Sequence, residues 1–182
     1  MFFAYGQRAA APEERAAQAL AARFGIPPRA STCRGSPISR AAALGARRSR
    51  ARPAARHRGA PRRRGVAQAV WVPARNAVFV SVAAAFAETL GADCVLAGFN
   101  REEAATFADN SAGFVAAATA MLGFGTRNRV RVVSPTQDLD KAGIVAAARR
   151  LDFTAADFWS CYEDGAVPCG TCESCLRSRF TR

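Results

Sequence analysis

Cys94-Val95-Leu96-Ala97-Gly98-Phe99 is a short, nearly continuous apolar run bounded by turn-prone residues. That is the pattern of a strand buried on both faces of a parallel sheet, where no side of the strand meets water to impose alternation. The flanking sequence agrees. Upstream, Asn76 stands where it can cap a helix in which Val78, Val82, Phe86 and Leu90 recur every four residues, and Gly91 follows as a stop. Downstream, residues 100–110 form a polar loop, and Ser111 caps a helix that turns Phe114, Val115, Ala118, Met121 and Leu122 inward. Val130-Arg131-Val132-Val133 reads as a second strand ended by Pro135, and a third helix spans roughly residues 140–150. Helices alternating with short hydrophobic strands predict an α/β domain with a parallel sheet, whose ligands bind outside the carboxyl ends of the strands. The loops after Phe99 and Val133 are therefore where a site is expected.

Toward the start, Met1-Phe2-Phe3-Ala4-Tyr5 reads as a strand that begins abruptly, as though in mid-fold. Pro12-Glu13-Glu14 opens a helix with Ala16, Leu20, Ala21 and Phe24 on one face, its acids where the helix dipole favours them, and Gly25 and Pro27 stop it. The chain has 182 residues, with 26 Lys and Arg against 14 Asp and Glu, a net charge of +12. That excess has one location. Residues 29–65 contain twelve arginines and no acid, so the remainder is balanced at 14 against 14. The segment has no aromatic residue and no helical or strand period, and it cannot build a core. Three readings of it stay open: a solvated disordered loop, a basic arm for RNA, or an out-of-frame stretch of GC-rich coding sequence.

His57, the only histidine, lies among those arginines, which argues against histidine-based acid–base or triad chemistry. The longest uncharged run, residues 110–126, is broken by polar residues and glycines and falls short of the ~20 apolar residues that a membrane span needs. The start lacks a basic region followed by a long apolar stretch, so a cytoplasmic, reducing setting is expected. Four parts are predicted: a partial α/β portion over residues 1–28, the arginine-rich segment 29–69, the rest of the α/β domain over 70–158, and a metal-binding C-terminal segment over 159–182.

Four of the six cysteines, Cys161, Cys169, Cys172 and Cys175, follow the spacing C-x7-C-x2-C-x2-C. Two-residue gaps let a tight turn aim successive thiolates at one centre about 2.3 Å away, and Gly170 permits the close backbone turn. Four thiolates around Zn²⁺ leave a net charge near −2, which Arg177, Arg179 and Arg182 could offset. A closed shell of this kind has no open position and acts as a structural clamp. Free thiols, disulfides and an iron–sulfur cluster are the competing readings, the last weakened by the absent C-x3-C-P continuation. Cys33 and Cys94 read as non-ligands.

Several ordered segments carry a resemblance to a known family. They are Tyr5-Gly6-Gln7-Arg8, Val72-Pro73-Ala74-Arg75-Asn76, Gly98-Phe99-Asn100-Arg101-Glu102-Glu103, Thr106-Phe107-Ala108-Asp109-Asn110-Ser111 and Ser134-Pro135-Thr136-Gln137-Asp138-Leu139-Asp140-Lys141. Trp159-Ser160-Cys161-Tyr162 and Pro168-Cys169-Gly170-Thr171-Cys172-Glu173-Ser174-Cys175-Leu176-Arg177 complete the set. Together they resemble the 7-cyano-7-deazaguanine synthase family of the route to queuosine and archaeosine, over about residues 1–27 and 70–180.

The resemblance implies an adenine-nucleotide α-hydrolase-like, Rossmann-like fold, often dimeric, with a structural zinc. It implies that ATP, with Mg²⁺, adenylates the carboxylate of 7-carboxy-7-deazaguanine, that ammonia displaces AMP to give an amide, and that a second ATP-driven step dehydrates the amide to a nitrile. Such chemistry needs no histidine, because the substrate carboxylate is the nucleophile and the enzyme positions it and neutralises phosphate charge. On this reading Arg75 and Lys141 are catalytic cations, with Arg8 a third candidate. Tyr5, Gly6, Gln7, Arg8, Asn76, Asn100 and Asp109 bind nucleotide or base. An exposed arginine at Arg75, a helix cap at Asn76 and a solvated helix residue at Lys141 are the structural alternatives.

Two departures stand out. The family's Ser-Gly-Gly-x-Asp-Ser nucleotide loop precedes the Tyr-Gly-Gln-Arg segment, and residues 1–182 contain neither it nor a substitute in strand-to-helix context. The arginine-rich segment replaces a mostly non-basic connection. The expectation is an N-terminally incomplete chain that does not turn over as written. Ala108, where proline is usual, and Gly143, inside a predicted helix, are smaller differences, the latter costing about 1 kcal/mol against alanine. A zinc-stabilised RNA-binding module using the arginine-rich segment is the alternative reading, although the balanced remainder fits a small-molecule enzyme better than a nucleic-acid or membrane partner.

Overall fold

The computed structural model describes residues 1–33, Ile38 and residues 71–177. The chain divides into two compact units, one of residues 1–73 and 145–182 and the other of residues 74–144. Both are α/β, and both hold a parallel pair of strands.

In the second unit, helix α2 (Arg75–Thr89) leads into β3 (Cys94–Leu96). A single-turn helix α3 (Arg101–Ala104), a 3-10 turn (Ala108–Asn110) and helix α4 (Ala112–Gly125) follow, and then β4 (Arg131–Val133). Helix α5 (Lys141–Arg150) begins here. Strands β3 and β4 pair in parallel with Val95 opposite Val132. These two valines turn toward α2 and α4, and the core consists of Val80, Ala84, Ala87, Ala118, Leu122, Val130 and Val132. Three alanines in that set let the helix backbones approach closely, and Phe99 meets Phe114 edge-on at 5.8 Å.

The α2 face differs from the expected one. Asn76, Val80, Ala84 and Ala87 are buried, while Leu90 is 58 % exposed. An exact four-residue repeat advances about 400° per step, so Val78, Val82, Phe86 and Leu90 drift around a helix of 3.6 residues per turn. The set 76, 80, 84 and 87 follows the true period and stays on one side. Asn76 is not the cap either: Ala74 precedes the helix in a left-handed conformation (φ 57°), and Asn76 lies inside the first turn.

On α4 the expected cap holds, Ser111 Oγ accepting from the Phe114 amide at 3.1 Å. Ala118 and Leu122 are buried, but Met121 is half-exposed. Leu96 also faces outward, 69 % exposed, so β3 is not buried on both faces. It follows Val95 in the strand and turns to the side opposite the one α2 and α4 cover. The outer edge of β4 is closed by a side chain: Thr119 Oγ1 accepts from the Val132 amide at 3.0 Å and donates to the Val132 carbonyl at 3.4 Å. A strand edge left open would offer the same two groups to another chain.

In the first unit, β1 (Phe2–Ala4) pairs in parallel with β2 (Ala30–Thr32), Phe3 opposite Ser31, and helix α1 (Ala10–Arg23) connects them. The composition of residues 29–65 predicts no strand, yet its first residues form one. A three-residue strand draws its bonds from the backbone: the Phe2 amide donates to the Arg29 carbonyl and the Cys33 amide to the Ala4 carbonyl, both at 2.8 Å. His57 and all of the arginine-rich segment except residues 29–33 and Ile38 lie outside the described residues.

After α5, a 3-10 turn (Ala155–Asp157) leads to the cysteines and to α6 (Glu173–Arg177). Arg23, at the end of α1, lies over Phe153 at 4.4 Å, pairs with Asp157 at 3.4 Å and donates to the Leu151 and Asp152 carbonyls that end α5. Phe24 is largely exposed but reaches Phe153, ring to ring at 6.0 Å. Among the described residues no helix is long and apolar enough to cross a membrane.

Candidate metal centre and strand-end loops

The four cysteine sulfurs of Cys161, Cys169, Cys172 and Cys175 lie within 4.8 Å of one another. Cys161 approaches Cys172 at 3.9 Å and Cys169 approaches Cys175 at 4.0 Å, and none is in a disulfide. Sulfurs placed tetrahedrally about 2.3 Å from a central ion sit roughly 3.8 Å apart, so the set fits one four-coordinate metal such as zinc. Cys33 and Cys94 are not in the cluster.

The backbone is organised around the sulfurs. Cys161 Sγ accepts from the amides of Glu163 and Cys169, both at 3.4 Å. The amide of Cys172 donates to Cys169 Sγ at 3.3 Å, and that of Cys175 to Cys172 Sγ at 3.4 Å. Gly170, at φ 70°, makes the left-handed turn that brings these amides round. The amides of Thr171 and Cys172, with the Thr171 hydroxyl, hold the Cys169 thiol down to about 6. Burial pushes Cys175 up to about 12 and raises Cys161. Cys169 thus gives up its proton more readily than Cys161 or Cys175.

The Tyr5-Gly6-Gln7-Arg8 segment is a turn in the same unit. Gly6 takes φ 94°, and Gln7 folds back so that its Oε1 accepts from the Tyr5 amide at 2.9 Å. Its Nε2 donates to the Phe3 carbonyl at 2.8 Å and to Glu13 at 3.1 Å. Arg8 pairs with Glu163 at 2.7 Å. Gln7 therefore builds the turn, and Arg8 is engaged by a carboxylate two residues beyond the first cysteine.

In the second unit, the loops at the carboxyl ends of β3 and β4 gather the other singled-out residues into two groups. Asn76 Nδ2 donates to the Asp109 carbonyl at 3.1 Å, and Arg75 Nε donates to Asn76 Oδ1 at 3.2 Å. The Asp109 carboxylate accepts from Asn110 Nδ2 at 3.2 Å. The second group centres on α3. Asn100 is buried, and its Oδ1 caps the helix by accepting from the Glu103 amide at 3.0 Å. Lys141 Nζ pairs with Glu103 at 2.9 Å, its amide donates to Glu102 at 2.8 Å, and Arg101 pairs with Asp140 at 3.3 Å. Three consecutive residues, Arg101 to Glu103, thus clamp the start of α5, and Asn100 caps the short helix that carries them. Ser134 and Thr136 hydroxyls both donate to the Phe99 carbonyl, joining the two strand ends.

The partners Glu102, Glu103 and Asp140 stand inside motifs quoted from the sequence but were given no role there, and Glu163 was not singled out at all. Asn-x-x-Glu at 100–103 has the spacing of a helix start and could have exposed the Asn100 cap. Nothing local marks Glu163.

The fold and this cluster define an α/β protein with parallel strands and, near the C-terminus, a four-cysteine cluster that could hold a metal. The chain belongs to the queuosine biosynthesis protein QueC family, whose model matches residues 1–180. A 7-cyano-7-deazaguanine synthase from Pelotomaculum thermopropionicum is 44 % identical over 178 residues, 96 % of this chain and 80 % of the relative. One of the same name from Desulforudis audaxviator is 44 % identical over 177 residues, 95 % and 79 % of the two chains. A third, from Desulforamulus reducens, is 53 % identical over 108 residues, 59 % of this chain and 47 % of the relative.

Proposed function

We propose that this chain belongs to an ATP-dependent ligase that makes 7-cyano-7-deazaguanine, the reaction for which its relatives are named, and that residues 1–182 need the family's nucleotide loop to complete it. The observation that carries this is the 44 % identity to 7-cyano-7-deazaguanine synthases across nearly the whole chain. The finer fold reading is an adenine-nucleotide α-hydrolase-like, Rossmann-like arrangement in a cytoplasmic enzyme, with a homodimer as its assembly. Zinc is the metal for the four cysteines, and its role is structural because four thiolates fill its coordination shell.

In the proposed reaction the carboxylate of 7-carboxy-7-deazaguanine attacks the α-phosphorus of Mg²⁺-bound ATP and pyrophosphate leaves. Ammonia then attacks the acyl carbon and AMP leaves, giving the amide. The amide oxygen then attacks the α-phosphorus of a second ATP and pyrophosphate leaves, and loss of AMP with the two amide protons leaves the nitrile. Arg75 and Lys141 supply positive charge for the phosphates, and both start from defined positions, on Asn76 and Glu103. Asn100 and Asp109 present polar groups at the strand ends for the base, Asn76 lies beside them, and Tyr5, Gly6, Gln7 and Arg8 form a nucleotide-side turn.

Residues 1–182 hold no Ser-Gly-Gly-x-Asp-Ser loop. The test therefore compares the chain as it stands with the same chain preceded by a strand and that loop, each given ATP, ammonium and 7-carboxy-7-deazaguanine. The extended chain is expected to release AMP and form the nitrile, and residues 1–182 alone to form none. A folded, zinc-loaded extended chain that forms neither product would overturn the proposal.

A further inference from the structure

The seven residues between Cys161 and Cys169 are tied to the N-terminal turn and helix by two arginines. Arg8 meets the Glu163 carboxylate at 2.7 Å, and Arg15 donates to the Gly165 carbonyl at 3.2 Å. Glu163 has two engagements at once: its amide donates to Cys161 Sγ at 3.4 Å while its carboxylate holds Arg8. The Arg8 side chain is only 19 % exposed, so this pair is less open to solvent screening than a surface ion pair. Arg8 directly follows Gln7, whose side chain closes the Tyr5-Gly6-Gln7-Arg8 turn on the Tyr5 amide.

We infer that Glu163 is a positioning residue that couples the four-cysteine centre to this turn, so that metal binding orders residues 5–8 and the turn in return steadies the centre. The inference rests on the reading of the cysteines as a metal site. Its physical basis is a short chain of contacts. A metal that draws Cys161 into a tetrahedron fixes the direction of its sulfur lone pairs and hence the Glu163 amide aimed at them. The peptide then has one orientation, and the carboxylate three bonds beyond the Cα meets Arg8 in one place. Without the metal the sulfur is free to rotate and the Glu163 peptide follows, so its carboxylate no longer holds Arg8 in one place. Groups that hydrogen-bond metal ligands orient them and tune metal affinity by about 10–100-fold, and linkage requires the effect to run both ways. This positioning role is separate from any contact the turn makes with nucleotide: it runs from the cysteine centre through Glu163 to Arg8.

The experiment is hydrogen exchange at the peptide that contains Tyr5 to Arg8, in the full chain loaded with zinc and in the chain stripped by a chelator, with helix α4 as an internal reference. In the wild type, stripping is expected to speed exchange at residues 5–8 by about tenfold, in line with the low end of outer-contact effects on metal sites, while α4 is unchanged. Glu163→Gln and Arg8→Gln are expected to show the fast exchange in both states, and Arg8→Lys, which keeps the charge, to retain most of the zinc dependence. Arg15→Gln leaves the pair intact and keeps it in full. Zinc-independent exchange at residues 5–8 in a wild type that holds zinc, or zinc-dependent exchange that survives Arg8→Gln, would overturn the coupling while leaving the metal site standing. A wild-type chain that takes up no zinc removes the metal reading and this inference together.

Discussion

Residues 74–144 and residues 159–177 are held together by different physics. The first region closes on buried Val80, Ala84, Leu122, Val130 and Val132, so its order follows from apolar area removed from water. Among its described residues the second has one fully buried side chain, Cys161, and leaves Val167 and Leu176 well exposed. What organises it is a set of amides aimed at sulfur, an ion pair to Arg8 and a cluster of four thiols that could hold a metal. A region of the first kind loses stability in graded steps when a side chain is trimmed. A region of the second kind depends on a single centre and has nothing behind it when that is removed.

The largest effect should come from breaking that centre. Cys161→Ser takes away the buried ligand, and the chain is expected to lose stoichiometric zinc and the ordered structure of residues 159–177, since structural zinc supplies about 10–16 kcal/mol of apparent binding energy in small domains. Elemental analysis and hydrogen exchange would read it. Retention of one zinc per chain with protected residues 169–175 would show that three thiolates suffice.

Trimming the apolar region tests the opposite limb. Leu122→Ala is expected to destabilise residues 74–144 by about 2–5 kcal/mol, the usual range for a buried leucine, while zinc stoichiometry stays at one. Denaturant titration followed through α4 would measure it. Loss of zinc in this variant would mean that the two regions are not energetically separate.

The smallest expected change sharpens the comparison within the apolar region itself. Gly143 sits near the start of α5, its amide bonded to Asp140 Oδ1 at 2.8 Å, and an added Cβ would meet nothing closer than 3.5 Å. Gly143→Ala is therefore expected to raise stability by about 0.5–1 kcal/mol through helix propensity alone, seen as a small rise in the unfolding midpoint. A fall would mean that the Asp140 and Leu139 side chains cannot accommodate the methyl group.

The two regions were also unequally legible. Strand and helix order in residues 74–144 came through because periodicity reports burial, but the face of α2 did not: small Ala84 and Ala87 are buried where the larger Phe86 and Leu90 looked inward. Residue size misleads where helices pack closely, since the closest approach belongs to alanine. The cysteine cluster was readable as spacing alone, because two-residue gaps leave a thiolate few other directions. For Asn76, Asn100 and Lys141 residue type suggested binding, yet each is already bonded to a partner at a distance in the chain or in a cap.

What the linear order of residues settles here is whatever depends on near neighbours: the alternation of helix and strand, the Ser111 cap, and four sulfurs brought to one point by short gaps. The partners of Arg8, Thr119 and Lys141 were decided only in three dimensions. Glu163, Val132 and Glu103 lie 13 to 155 residues away from them, at 163−8, 132−119 and 141−103 in the chain. A charge or hydroxyl carries no mark of which distant group the fold will bring to it, because that choice is made by the packing of the elements between.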